Sequence, residues 1–103
     1  MTTKIGDSGS AAQASALLAA VVRSESGVDA EVPLGCAVAV SLLRTAGVPA
    51  VPPAPLADTP DAVRAALTEA IAQLTAQPDD ALTDLMLDAI AEAQAAARRV
   101  QSA

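Results

Sequence analysis

Residues 58–74 read DTPDAVRAALTEAIAQL, and this stretch decides the fold class. It opens with a capping residue, then Pro60 at the first helical position and an acid in the first turn, which is a usual start for an α-helix. The pattern predicts a helix over residues 60–77. Its apolar side chains recur at steps of four, four and three, as one face of a helix requires; they are Val63, Leu67, Ile71 and Leu74.

The chain from Pro78 onward predicts a second helix, over residues 79–101, that folds back on the first. Pro78 ends the preceding helix, and Asp79 and Asp80 would lie in the first turn, where acids favour the positive end of the helix dipole. A short break between two amphipathic helices is typical of an antiparallel helical hairpin. One apolar stripe runs down this helix: Leu82, Met86, Ala89, Ile90, Ala93, Ala97 and Val100.

The first half of the chain predicts an N-terminal tail followed by two more helices. Residues 1–9 are rich in Thr, Gly and Ser and are expected to be flexible. The helical spacing of Ala14, Leu18 and Val21 indicates the first helix, over residues 10–24. The second follows a short polar connection.

An almost unbroken apolar run indicates this second helix, over residues 34–46. Its valines would also fit a strand, but Ala37 and Ala39 are weak strand formers and no second strand is visible to pair with it. A helix that is apolar all round is expected to be the most buried. Residues 47–58 hold four of the seven prolines and predict an extended connector. The sequence thus predicts an all-α, four-helix bundle-like domain over residues 10–103.

Composition excludes several classes of function. The 103 residues include no His, Phe, Tyr or Trp, which rules out imidazole catalysis, His-ligated metals and aromatic stacking on single-stranded nucleic acid. A formal net charge of −6 opposes binding to nucleic-acid phosphates and anionic membranes. A lone Cys, the lack of a signal-peptide pattern and apolar runs well short of ~20 residues indicate a cytoplasmic protein. The Ala- and Pro-rich composition is typical of bacteria with GC-rich genomes.

Acidic residues recur every four positions along the last predicted helix. Like charges at this spacing cost a few tenths of a kcal/mol each. A solvated face is the simplest interpretation, and a surface for a basic partner is the alternative. Leu87 points about 140° away from Leu82 and would be exposed beside this face. The candidate interaction surface therefore consists of Asp80, Asp84, Leu87, Asp88 and Glu92.

Cys36 is the second candidate, because a cysteine near a helix N-terminus has a lowered pKa. The chain has no His to act as its base, and the acids Glu25, Asp29 and Glu31 nearby would raise the thiol pKa instead. We predict a buried structural thiol, with a ligand-lining or reactive role as the alternative.

No constellation of residues predicts catalysis, a cofactor or a metal, and we expect a protein without enzymatic activity. Aromatic residues usually bury ~150–250 Å² each, whereas 27 residues of this chain are alanine. Such a light core favours sharing apolar surface with another chain. The expected function is therefore protein–protein interaction, as a small adaptor, assembly or regulatory subunit, with a homodimer through Leu87 as one form. The alternative is a carrier that holds a small apolar ligand within the bundle.

Overall fold

Four α-helices make up most of the part of the chain that the structure describes. The computed structural model describes residues 2–24, 29–49, 51–77 and 82–102, and no strand occurs within these ranges. The all-α, four-helix bundle-like fold is confirmed. The helices are α1 (Thr2–Arg23), α2 (Glu31–Thr45), α3 (Pro60–Thr75) and α4 (Asp84–Ser102).

Each helix packs against two others, in the cyclic order α1, α2, α4, α3. The α2–α4 packing is the most extensive, and α3 and α4 form the C-terminal helical hairpin. Helices α2 and α3 lie across the diagonal of the bundle, so the Pro-rich connector carries the chain from one corner to the opposite one. The backbone N–H of Ala54 donates to the carbonyl of Ala16 at 3.1 Å and fixes the connector against α1.

Helix α3 begins where the sequence predicts. Thr59 has extended backbone, and its hydroxyl accepts from the N–H of Ala62 at 3.1 Å, with Pro60 at the first helical position. The helix ends at Thr75, two residues before the predicted end, which is within the usual fraying of a helix terminus. Its predicted core face is buried, except that Ile71 is only partly covered.

Helix α4 begins at Asp84, not at residue 79 as predicted. The hydroxyl of Thr83 accepts from the N–H of Met86 at 3.3 Å, and the backbone carbonyl of Thr83 accepts from the N–H of Leu87 at 3.0 Å. Thr83 is therefore the N-cap of this helix. The predicted first turn at 78–80 lies outside the described residues. The apolar stripe from Met86 to Val100 is buried as predicted.

Helix α2 begins at Glu31, three residues before its predicted start. Its N-cap residue is Ala30, and the carboxylate of Asp29, one residue earlier, accepts from the N–H of Glu31 at 2.8 Å. Pro33 has no N–H to donate, and the Asp29 carbonyl accepts from Val32 instead, at 2.9 Å. The first turn of a helix tolerates proline because its N–H groups have no partner within the helix.

A Schellman motif ends α2. The N–H of Gly47 donates to the carbonyl of Arg44 at 3.0 Å, and the N–H of Val48 donates to that of Leu43 at 2.9 Å. This geometry needs a left-handed residue at the position after the cap, and Gly47 supplies it with a φ of 101°. Helix α2 ends at Thr45, one residue before its predicted end at 46.

Helix α1 begins at Thr2, so residues 2–9, predicted as a flexible tail, belong to the helix. The Ala-rich segment 11–20 has a high helix propensity and can nucleate the helix. Residues 2–9 then only extend an existing helix, which costs less than starting a new one. The predicted core residues Ala14, Leu18 and Val21 are buried.

Alanine occupies half of the buried apolar positions in the described part of the chain. Such small side chains let helices approach closely. A Cβ built on Gly35 of α2 would lie 3.7 Å from the carbonyl oxygen of Glu92 and 3.9 Å from the Cβ of Ala96 on α4. The start of α2 lies beside the end of α4, where Arg99 is 3.4 Å from Glu31. These two helices are therefore antiparallel.

Candidate functional site

The predicted acidic surface is only partly assembled on α4. Asp84 and Asp88 are exposed on either side of Leu87, which is 49% exposed. Glu92 is half-buried and turned toward α2, because each step of four residues drifts by about 40° round a helix. Asp80 lies outside the described residues, and α4 begins after it. Among the described residues of the predicted surface, Asp84, Leu87 and Asp88 share one exposed face.

With Ala91, these residues form the α4 outer face, defined here as Asp84, Leu87, Asp88 and Ala91. All four are exposed, and they follow the i, i+3, i+4, i+7 spacing of one helix face. Leu87 lies nine positions before Ala96, which faces α2, and nine positions correspond to about 180°. Leu87 therefore points away from α2.

Cys36 lies in the hydrophobic core, on the inner side of α2, with no exposed surface. Burial raises the pKa of its thiol from 9.0 to about 12. The thiol is therefore protonated at neutral pH and is a poor nucleophile. This placement favours the structural role over the reactive one. The cause of the raised pKa is burial and not the neighbouring acids that the sequence singled out.

The largest apolar exposure was not predicted from the sequence. On α2, Leu34 is 62% exposed and Val38 is 41% exposed, one turn apart on the side opposite Cys36. The prediction that α2 is the most buried helix is therefore wrong, because α2 buries four of its residues and α3 buries five. We define the α2 outer face as Leu34, Ala37, Val38 and Ser41, all of which are exposed.

A shallow groove of about 240 Å³ runs between α2 and α4 along one edge of this face. Arg99 closes its end, 3.4 Å from the carboxylate of Glu31 and 3.9 Å from that of Asp29. Because all three side chains are about half exposed, these ion pairs contribute only ~0–1 kcal/mol each. The apolar lining residues are Leu34, Gly35, Val38, Ala95 and Ala96.

A second groove, of about 350 Å³, lies along the other edge of α2, between α1 and α2, and the connector forms its wall. Arg23 and Arg44 line it and are exposed, and among the described residues neither forms an ion pair. We call it the arginine groove. Its other lining residues are Ala19, Val22, Ala37, Val40, Ser41, Val51 and Pro53.

Other kinds of site find no support within the described ranges. No group of three or more Cys, Asp or Glu side chains there could hold a metal ion. None of the helices, as far as they are described, is long and apolar enough to cross a membrane. No protein-family model, curated protein or solved structure matches the chain. The interpretation of the two grooves and the exposed faces therefore depends on their chemistry alone.

Proposed function

We propose that this protein is a non-enzymatic protein-interaction module whose main contact surface is the exposed side of α2. The observation that carries the proposal is the clustering of exposed apolar residues. Three of the four large apolar side chains that are exposed in the described ranges lie on this side or beside it: Leu34 and Val38 on α2, and Val22 on the adjoining α1.

These side chains form one strip and are not scattered. Leu34 and Val38 occupy successive turns of α2, and Ala37 lies beside both. Ala37 also lines the arginine groove together with Val22 of α1. A single exposed leucine is ordinary on a protein surface, but a contiguous apolar patch marks an interaction site.

The polar groups beside this strip are suited to recognition. Arg23 and Arg44 can pair with carboxylates, and the small side chains of Ala37 and Ser41 allow another helix to approach closely. The only thiol of the chain is buried on the other side of α2. Non-catalytic protein binding is the simplest function for such a surface.

A pull-down with matched variants tests the proposal. The pair Leu34→Asp and Val38→Asp places two charges in the strip, and the control pair Ala65→Asp and Ala72→Asp places two on exposed positions of α3. We expect wild type and control to enrich the same proteins from a lysate of the source organism, and the α2 variant to lose them. Circular dichroism checks that all three are folded. Equal enrichment by all three proteins would contradict the proposal.

The volume of the arginine groove supports a second candidate function, that of a carrier for a small apolar ligand. About 350 Å³ lies at the low end of the range for small-molecule sites. The arginine groove is open to solvent, however, and such sites normally enclose most of their ligand. Native mass spectrometry of the protein purified from its source would show a bound mass if the carrier function were correct.

A further inference from the structure

We propose that the arginine groove of one copy binds the α4 outer face of a second copy, so that copies of this chain associate head to tail. This inference depends on the proposed function, because it names the partner of a surface beside α2. It rests on the complementary chemistry of two exposed surfaces at opposite sides of the bundle.

The groove determines what its occupant must offer. Its floor is apolar, from Val22 of α1 and from Ala37 and Val40 of α2, and two guanidinium groups flank it. An occupant therefore needs an apolar side chain with carboxylates beside it. A helix that lays one face into an apolar groove is a common way for proteins to bind each other. The two arginines carry charge opposite to that of the chain as a whole, which is −6.

The α4 outer face offers these groups in the required order. Leu87 projects between Asp84 and Asp88, and Ala91 follows one turn later. The apolar side chain would enter the groove while the two carboxylates meet Arg23 and Arg44. Exposed pairs of this kind mainly set orientation and specificity, and apolar contact supplies most of the affinity.

Charge also distinguishes this arrangement from a symmetric dimer through Leu87. Two α4 outer faces packed on each other would bring Asp84 and Asp88 of both copies together, and like charges across an interface oppose binding. In the head-to-tail arrangement each carboxylate meets a cation. The homodimer expected from the sequence is therefore replaced by a contact between two different surfaces.

The positions of the two surfaces determine the kind of assembly. Helices α1 and α4 lie across the diagonal of the bundle, and Leu87 points away from α2. One copy can therefore bind a neighbour at each side, which produces a ring or an open chain.

The two arginines of the groove differ in their surroundings. Arg23 also borders a depression with Asp58, whose carboxylate accepts from the hydroxyl of Ser24 at 3.4 Å. Arg44 is accordingly the better cation to change.

Charge reversal on each surface tests the contact. The variants are Arg44→Glu in the groove and Asp88→Arg on α4. Their matched controls are Arg64→Glu and Glu69→Arg on α3, which change the net charge by the same amounts. Leu87 itself is left unchanged, because with Leu82 it occupies the two positions of a hydrophobic staple around the Thr83 cap. Thermal melting establishes that every variant is folded.

The mass of each protein is measured by analytical ultracentrifugation from 10 to about 500 µM. We expect the average mass of wild type and controls to rise with concentration, and each single variant to need about tenfold more protein for the same rise. An equimolar mixture of Arg44→Glu and Asp88→Arg should associate like wild type, because each variant surface then meets a complementary one.

Two results would overturn the inference. The first is a wild type that keeps its monomer mass at every concentration. The second is an Arg44→Glu variant that associates like wild type, since a symmetric contact through α4 would not need the groove. If the Leu34 and Val38 variant still loses its lysate partners in either case, the proposed function stands and only the second copy is wrong as the partner. If that loss is also absent, both proposals fail.

Discussion

Gly35 inside α2 and Gly47 just after its end tolerate a side chain differently. Gly47 has a left-handed backbone, and no atom lies within 4 Å of an added Cβ. The cost of a methyl group there is therefore purely conformational. Gly35 is inside the helix, and its added Cβ would make ordinary van der Waals contacts of 3.7–3.9 Å with α4.

We predict opposite effects on stability for the same chemical change. Gly47→Ala should lower the free energy of unfolding by about 1 kcal/mol, because an L-residue is strained in the left-handed region. Gly35→Ala should raise it by about 0.5–1 kcal/mol, because alanine is the better helix former and the contacts are not too close. Urea titrations of both variants beside wild type measure this. Two changes of the same sign would contradict the glycine geometry.

Cys36 makes stability depend on pH in the alkaline range. Burial raises the pKa of its thiol to about 12 in the folded chain, against 9.0 as the ordinary value. Its contribution to stability is therefore complete below pH 9 and is lost as the pH rises toward 12, because the unfolded chain releases the proton first. The chain has no Tyr and one Lys, so few other groups titrate in this range.

We predict that wild type loses up to about 1.4 kcal/mol of stability per pH unit above pH 9. Cys36→Ala should be less stable at pH 7, because it leaves a small cavity, and should show a flatter alkaline slope. Urea unfolding at several pH values from 7 to 11 compares the two slopes. Parallel slopes, or labelling of the native thiol within seconds by a disulfide reagent at pH 7, would show that Cys36 is not buried.

At the scale of elements, the start of a helix was predictable where the sequence offers a single set of capping residues. The hydroxyl of Thr59 and Pro60 at the first helical position define the start of α3 locally, and the structure follows them. The start of α4 was predicted at residue 79 from the proline and acids at 78–80, and the hydroxyl of Thr83 was not considered. Thr83 caps the helix. Local propensity does not distinguish the two starts, because both patterns satisfy the free N–H groups of a first turn.

The core faces of α3 and α4 predict which substitutions unfold the bundle. Leu67 of α3 is fully buried and Ile90 of α4 nearly so. Leu67→Asp and Ile90→Asp should each leave the chain unfolded at room temperature, because each places an unpaired charge in the core. Neither variant should then show a cooperative melting transition. Thr68→Asp, one position along on the exposed side, is the control and should melt within a few degrees of wild type. Thermal melts followed by circular dichroism decide this, and near-native melting of both core variants would show that the faces are assigned incorrectly.

The candidate site shows where sequence reasoning ends. The exposure of Leu87 was predictable, because the rest of α4 has a clear apolar stripe. The exposure of Leu34 and Val38 was not predictable, because α2 is apolar on both sides and its sequence does not say which side is covered. That depends on which helices lie beside it, and here α1 and α4 leave the outer side open.

For the whole molecule, the Ala-rich core predicts a small heat capacity of unfolding. The heat capacity change scales with the apolar surface that unfolding exposes, and alanine exposes little. We expect a value below the usual ~12 cal/mol/K per residue. Scanning calorimetry over a range of pH, with the enthalpy plotted against the midpoint temperature, measures it. A value of about 15 cal/mol/K per residue would indicate that a larger apolar area becomes buried, as in an associated state.

The diagonal connector also has a consequence for synthesis on the ribosome. Helices α1 and α2 are made first, and the partners that cover their inner sides, α3 and α4, come later in the chain. Residue 102 follows residue 45 by roughly 3–11 s at about 5–20 residues per second. During that interval the inner side of α2, with Cys36 and Leu43, has only α1 to cover it. The half-made protein is therefore most open to other chains and to chaperones before its C-terminal hairpin emerges.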